Sequence, residues 1–84
     1  MYCERFGLTV YVTRHARERM AERNITDPML HSLLETGETR FQDEVRFWVA
    51  KALSGRDDNL ICAAVTLEDA LVVKTVMHHF EWQG

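Results

Sequence analysis

Five side chains suited to phosphate chemistry fall within one ten-residue segment. His15, Arg19 and Arg23 are spaced by four, so on a helix they form one line, which Arg14 and Arg17 flank. Arginine donates forked hydrogen bonds to phosphate oxygens, and histidine transfers protons near neutral pH. We expect His15 and Arg19 to be catalytic, and Arg14, Arg17 and Arg23 to bind substrate. The alternative is a solvated helix face on which glutamates alternate with the arginines.

A second set of candidate residues lies near the end of the chain. In a strand, Lys74, Val76 and His78 share one face, and Arg46 falls in a neighbouring strand. Cleavage of RNA needs a base for the 2′-hydroxyl, an acid for the leaving oxygen and a cation for the developing charge. We expect Lys74 and His78 to be catalytic and Arg46 to bind substrate. The alternative is that they are ordinary solvent-face residues of an antiparallel sheet.

Patterns that bind metals or nucleotide cofactors are missing from the sequence. It has no His-Glu-x-x-His motif, no closely spaced cysteine pair, no P-loop and no dinucleotide fingerprint. His78 and His79 would point to opposite faces of a strand, so they are not expected to share a metal. We therefore expect neither a metal nor a cofactor. Cys3 and Cys62 are expected to be free thiols.

Composition limits the molecule to one small domain. The chain has 84 residues with 10 Lys+Arg against 13 Asp+Glu, a net charge of −3, and we expect residues 1–84 to form a single domain. The total charge gives no general attraction to nucleic acid, so only a local basic patch could bind it. No apolar run is long enough to span a bilayer and the start has no signal-peptide layout, so we expect a cytoplasmic protein without membrane contact.

Periodicity and turn residues predict the elements that carry these side chains. Alternation predicts a strand over 8–13, after which Thr13 can cap a helix over 14–23. Asp27 or Thr26 can cap a second helix with Pro28 in its first turn, and Gly37 is expected to end it in the left-handed conformation. The two helices are expected to form an αα-hairpin.

Strand patterns fill the rest of the chain. They cover 38–42, 45–53, 60–67 and 70–77, with a polar loop over 54–59 and a tight turn at 68–69. The predicted order is β-α-α-β-β-β-β. We expect an α+β fold with both helices on one face of a four- to five-stranded antiparallel sheet.

The segment 13–26 also resembles a known family. The pattern His15-Ala16-x-x-Arg19-Met20-x-x-Arg23-x-Ile25, with the Val-rich hairpin near the end, resembles a small bacterial domain family of unknown function. That family is similar in layout to the RelE, ParE and BrnT toxins of toxin–antitoxin systems. The resemblance covers about residues 10–78 and implies an RNA-cleaving toxin. RNA or the ribosome, a cognate antitoxin protein and a second copy of the chain are the partners it implies.

A function of another class also fits the sequence. Trp48 and Trp82, or an exposed strand edge, could bind a protein segment without any catalysis. In that case replacing either tryptophan should disrupt a complex, whereas changes to the His and Arg candidates should do little.

Overall fold

The computed structural model describes residues 1–83, and Gly84 lies outside them. The elements are β1 (Tyr2–Cys3), β2 (Leu8–Val12), α1 (Arg14–Glu22), α2 (Asp27–Thr36), β3 (Glu38–Phe41), β4 (Arg46–Lys51), β5 (Ile61–Leu67) and β6 (Leu71–Met77). This confirms the α+β class and, within a few residues at each end, the predicted helices and strands. No helix among residues 1–83 is long and apolar enough to cross a membrane.

The sheet is larger and more mixed than predicted. Six strands lie in the order β1-β2-β6-β5-β4-β3, whereas four or five antiparallel strands were expected. The additional strand is β1, which pairs antiparallel with β2. In addition, β2 pairs parallel with β6. Short hairpin connections predict only the relative direction of consecutive strands. β2 and β6 are separated in the sequence by two helices and three strands, so their parallel pairing could not be predicted in this way.

Local capping defines α1. The Thr13 hydroxyl accepts a hydrogen bond from the Ala16 backbone N–H at 3.1 Å, as its position predicted. At the other end Asn24 adopts a left-handed conformation (φ 53°), and the Ile25 N–H donates to the Met20 carbonyl at 2.9 Å. This Schellman arrangement ends the helix at Arg23 and turns the chain sharply.

The end of α2 differs from the prediction. Thr26 caps its start and Pro28 lies in its first turn, but Gly37 has φ −71° rather than a left-handed conformation. Glycine is needed here for space, because a Cβ atom would lie 2.6 Å from both the Leu33 carbonyl oxygen and the Val49 Cγ2 atom. The helix therefore stops where the backbone runs closely beside β4.

One hydrophobic core joins the helices to one face of the sheet. The helices contribute Ala16, Met20, Leu30, Leu33 and Leu34, and the strands contribute chiefly Phe47, Val49, Ile61, Ala63, Val65, Leu71, Val73 and Val76. α1 packs on β6, and α2 packs on β4, β5 and β1. The predicted placement of both helices on one face is thus confirmed.

A β-bulge interrupts the alternation of β6. Val65 pairs with Val73, but the preceding residue, Ala64, pairs with Thr75, so Lys74 is the extra residue. Both Val73 and Val76 are consequently buried in the core. The expectation that Lys74 shares a face with Val76 and His78 is therefore wrong, because it assumed strict alternation.

Candidate functional site

An open cavity of about 570 Å³ lies where α1 and β6 end. The titratable side chains around it are Glu22, Arg23, Arg56, Asp57, Asp58, His78 and His79. We call Arg23, Arg56, Asp58, His78 and His79 the His78 cluster. Three separate segments supply them: the end of α1, the loop between β4 and β5, and the turn after β6. Of the sequence-predicted site residues, Arg23 and His78 are the two that line this cavity.

Arg56 and Asp58 form the fixed base of the cluster. The Arg56 Nε and Nη2 atoms donate to the two Asp58 carboxylate oxygens at 2.8 and 2.7 Å. These side chains are only 14% and 16% exposed. The hydrogen bonds from Arg56, followed by the one from His78, hold the pKa of Asp58 well below its usual range, and the same carboxylate raises the pKa of Arg56. Asp58 is therefore ionised throughout the ordinary pH range.

Arg56 also closes the end of α1. Its Nη1 atom donates to the Asn24 carbonyl at 2.8 Å and its Nη2 atom to the Arg23 carbonyl at 2.6 Å. Carbonyls at a helix C-terminus lack partners within the helix and carry partial negative charge. The guanidinium thus caps α1 and fastens the β4–β5 loop to it.

The β4–β5 loop is held in shape by one amide side chain. Asn59 Oδ1 accepts from the Leu53 N–H at 2.9 Å, and Asn59 Nδ2 donates to the carbonyls of Leu53 and Arg56 at 3.1 and 2.9 Å. Gly55, which lies between Leu53 and Arg56 in the sequence, has φ 80°, a conformation that glycine adopts without strain. These contacts fix the backbone from which Arg56 and Asp58 project.

His78 is oriented by Asp58. Its Nδ1 atom lies 3.1 Å from Asp58 Oδ2. Since an ionised carboxylate can only accept a hydrogen bond, Nδ1 must carry the proton and donate it. In the neutral ring Nε2 is then the free acceptor, which is the arrangement that a general base requires.

The turn after β6 places a second imidazole beside the first. His79 has a left-handed backbone (φ 50°), and its ring centroid lies 4.8 Å from that of His78. The His79 N–H donates to the Asp58 carbonyl at 2.6 Å, and the Phe80 N–H donates to the Leu60 carbonyl at 3.0 Å. Backbone hydrogen bonds to the β4–β5 loop therefore maintain this uncommon conformation.

Arg23 places a guanidinium at the cavity, and two of its nitrogen atoms form no hydrogen bond with the described residues. Its Nε and Nη1 atoms are buried and have no hydrogen-bond partner among residues 1–83. The Glu22 carboxylate is 3.9 Å from Nη1, while the same carboxylate accepts from Arg19 at 2.6 Å. Buried charged donors are normally paired. Nε and Nη1 have almost no accessible surface, so an anion in the cavity would meet Arg23 through the part of its side chain that is exposed.

The other residues predicted from α1 lie outside the cavity, three of them exposed and Arg19 half-buried. Arg14 pairs with Glu18 at 3.4 Å, Arg17 forms an ion pair with Asp27, and Arg19 pairs with Glu22. His15 is exposed, two turns before the cluster. The structure does not bring these four residues to the cavity.

Lys74 and Arg46 lie away from His78, because Lys74 is in the middle of β6 and Arg46 begins β4. Lys74 is 3.8 Å from the Glu68 carboxylate, and Arg46 pairs with Asp43 at 2.7 Å. Arg46 aligns with Val72 across β5, six residues before His78, which corresponds to about 20 Å along a strand. The basic groove expected from Lys74, His78 and Arg46 together is therefore not formed.

Sequence reasoning missed Arg56, Asp58 and His79. It treated 54–59 only as a polar loop, although an arginine next to carboxylates in a loop between two strands is a recognisable signal for a site. Among residues 1–83 no group of three or more His, Cys, Asp or Glu side chains could hold a metal ion.

Comparison with family models identifies the chain. Residues 12–78 match the model described as Domain of unknown function (DUF4258). The match covers most of the chain, so the protein belongs to this family. Comparison with curated proteins and with solved structures gives no match.

Proposed function

We propose that this DUF4258 protein cleaves RNA by acid–base catalysis at the His78 cluster. The observation that carries the proposal is the Asp58-oriented imidazole of His78 at the same cavity as Arg23, whose Nε and Nη1 atoms have no hydrogen-bond partner among residues 1–83. A cationic donor set next to a free ring nitrogen is suited to a phosphodiester, which brings both a negative charge and a proton to be moved.

The proposed reaction is an internal transfer of the phosphodiester. His78 Nε2 takes the proton of the 2′-hydroxyl, whose oxygen attacks phosphorus while the bond to the 5′-oxygen breaks. The imidazole of His79 in its protonated form gives a proton to that leaving oxygen. The products are a 2′,3′-cyclic phosphate and a 5′-hydroxyl, so all atoms and protons are accounted for without a further reactant.

Arg23 and Arg56 have different roles in this scheme. Arg23 donates to the non-bridging phosphate oxygens, whose negative charge grows in the transition state. Arg56 is a positioning residue, because its guanidinium already donates to Asp58 and to two carbonyls. Asp58 holds the tautomer of His78 and stabilises the imidazolium that forms.

The direct test is cleavage of a labelled single-stranded RNA in the presence of a chelator. We expect His78→Ala to lower the rate by about 100- to 10,000-fold, the range for loss of a general base. His15→Ala is the matched control, since His15 is exposed on α1 outside the cluster, and we expect it to keep the wild-type rate. Circular dichroism checks that both variants fold.

Two results would contradict the proposal. Equal rates for His78→Ala and wild type would exclude the cluster, and a loss confined to His15→Ala would favour the exposed face of α1 instead. A 3′-phosphate product formed directly, with no cyclic intermediate, would refute the transfer by the 2′-oxygen.

The biological role we propose is that of a growth-arrest toxin with a protein antitoxin. Segment 13–26 resembles a family of unknown function whose layout is similar to that of the RelE, ParE and BrnT toxins, and this similarity of layout supports the role together with the cluster. Induced expression in a bacterial host should arrest growth and fragment RNA, and His78→Ala should relieve both effects. Arrest with intact RNA would instead indicate another target, such as gyrase.

A non-enzymatic interaction role is the second candidate. β3 is an edge strand of the sheet, and Phe41 within it is 50% exposed, which suits the addition of a strand from a partner. For this role a Thr39→Pro change, which removes an N–H that points away from β4, should abolish complex formation, whereas His78→Ala should leave it intact.

A further inference from the structure

The outer face of the sheet carries an aromatic groove. By alternation Trp48 points away from the helices, since its neighbours Phe47 and Val49 are buried beneath them. The segment after β6 crosses this face and places the Phe80 ring 5.7 Å from the Trp48 ring, nearly parallel to it. The Trp82 ring stands edge-on to Phe80 at 5.0 Å.

A cation completes this groove. The Arg40 guanidinium lies 4.2 Å above the centre of the Trp82 ring, and its Nε atom donates to Glu38 at 2.9 Å. The resulting aromatic groove, formed by Arg40, Trp48, Phe80 and Trp82, encloses about 290 Å³. Stacked rings with an arginine are the combination that binds unpaired bases without sequence preference.

The aromatic groove is continuous with the His78 cluster. A cavity of about 420 Å³ contains Arg23, His78 and His79 and is also lined by Phe80, which forms part of the aromatic groove. Phe80 follows His78 by two residues, so their Cα atoms are at most about 7 Å apart. A ligand whose phosphate reaches Arg23 would therefore bring its neighbouring groups to Phe80.

We propose that the aromatic groove stacks unpaired bases of the RNA whose phosphodiester occupies the His78 cluster, so that the protein selects single-stranded RNA. This proposal rests on the proposed function and adds its substrate class. Bases of a duplex are paired and stacked on one another, so they cannot enter the groove. Continuity with a phosphate-binding cluster favours a nucleic acid over a protein segment as the occupant.

The test uses a 2′-deoxy oligonucleotide, which lacks the attacking hydroxyl and is not cleaved. Both tryptophans of the chain lie in the aromatic groove, so stacking should quench the intrinsic fluorescence. Anisotropy of a labelled oligonucleotide gives the affinity. Trp82→Ala should weaken binding by about 5- to 100-fold, the range for loss of one stacked base, and Trp82→Phe should restore most of it.

Matched controls separate stacking from general effects. Tyr11→Ala removes an aromatic side chain that is 60% exposed on β2, outside the groove, and should leave the affinity unchanged. A duplex of the same sequence and an abasic oligomer of the same length keep the phosphates but offer no free bases. Both should bind more weakly than the single strand and should not quench.

The outcomes distinguish this inference from the proposed function. If RNA is cleaved through His78 but duplex and single strand react equally, or Trp82→Ala changes nothing, the groove proposal is overturned while the nuclease stands. If the single strand binds and quenches as expected but no RNA is cleaved, base stacking is supported and the proposed reaction fails. If no oligonucleotide quenches, the groove proposal is overturned in favour of a protein segment.

Discussion

Replacing Arg23 by methionine should make the protein more stable and less active. Methionine keeps the length and apolar stem of the side chain while removing the guanidinium. In the free protein the Arg23 Nε and Nη1 atoms are buried without a hydrogen-bond partner among residues 1–83. Arg23→Met therefore removes two buried donors that lack hydrogen bonds from the folded state, and with them the group that we assign to the phosphate.

The magnitude follows from the contacts of this side chain. A buried unsatisfied polar group costs about 1–3 kcal/mol, and the 23% exposure of the Arg23 side chain places the value at the lower end. The ion pair that is lost is a 3.9 Å contact with Glu22 at the surface, worth about 0–1 kcal/mol. The net gain is about 0–1 kcal/mol, and its upper end corresponds to a rise in Tm of about 4–8 °C in a domain of this size.

Thermal unfolding with and without inorganic phosphate is the assay. Phosphate at ten times its Kd should stabilise the wild type by about 1.4 kcal/mol and should have no effect on Arg23→Met. Arg14→Met is the control on the same helix, because the Arg14 side chain is 95% exposed, and it should change stability by less than about 0.5 kcal/mol. A lower Tm for Arg23→Met, or equal stabilisation of both proteins by phosphate, would show that Arg23 is a structural residue and refute the reasoning.

Two further predictions concern the scaffold. Gly37→Ala should destabilise the fold by about 1–3 kcal/mol in urea unfolding, because its Cβ atom would lie 2.6 Å from the Leu33 carbonyl oxygen and from Val49 Cγ2; an unchanged midpoint would contradict this packing. The pKa of Asp43 is lowered to about 2, chiefly by the hydrogen bond from the Val45 N–H, so its contribution to stability is full above about pH 4 and is lost as the pH falls through 2. Asp43→Asn should therefore show less loss of stability between pH 5 and pH 2 than the wild type, and parallel pH curves for the two proteins would exclude this contact as the cause.

Local sequence patterns were sufficient for most of the fold. Thr13 and Pro28 mark the starts of α1 and α2 through contacts within one turn, and alternation marks the strands. By contrast, β1 has two residues, and the turn that joins it to β2 depends on a side chain of α2. The Glu35 carboxylate accepts hydrogen bonds from the Glu4 and Arg5 N–H groups at 2.8 and 2.9 Å. No local pattern in the sequence predicts such a contact.

The site depends on departures from regular structure, which explains why less of it could be predicted. Left-handed residues at Asn24 and His79 and the bulge at Lys74 each redirect the chain. Without the bulge, alternation would give Val73 and Val76 opposite faces, and the face of His78 would be assigned wrongly. Arg23 and His78 were identified by residue type, but their proximity to Arg56 and Asp58 arises only from long-range packing.

Arg56 makes an anion site feasible at an otherwise unsuitable place. The C-terminus of a helix carries a partial negative charge and disfavours anions, yet Arg23 and the cavity lie at the end of α1. The Arg56 guanidinium donates to the carbonyls of Arg23 and Asn24 there and at the same time neutralises Asp58. Arg56 thus compensates the helix terminus and Asp58, whereas the carboxylates of Glu22 and Asp57 also line the cavity. The residue that caps the helix therefore removes two of the negative elements that a phosphate beside Arg23 would otherwise meet.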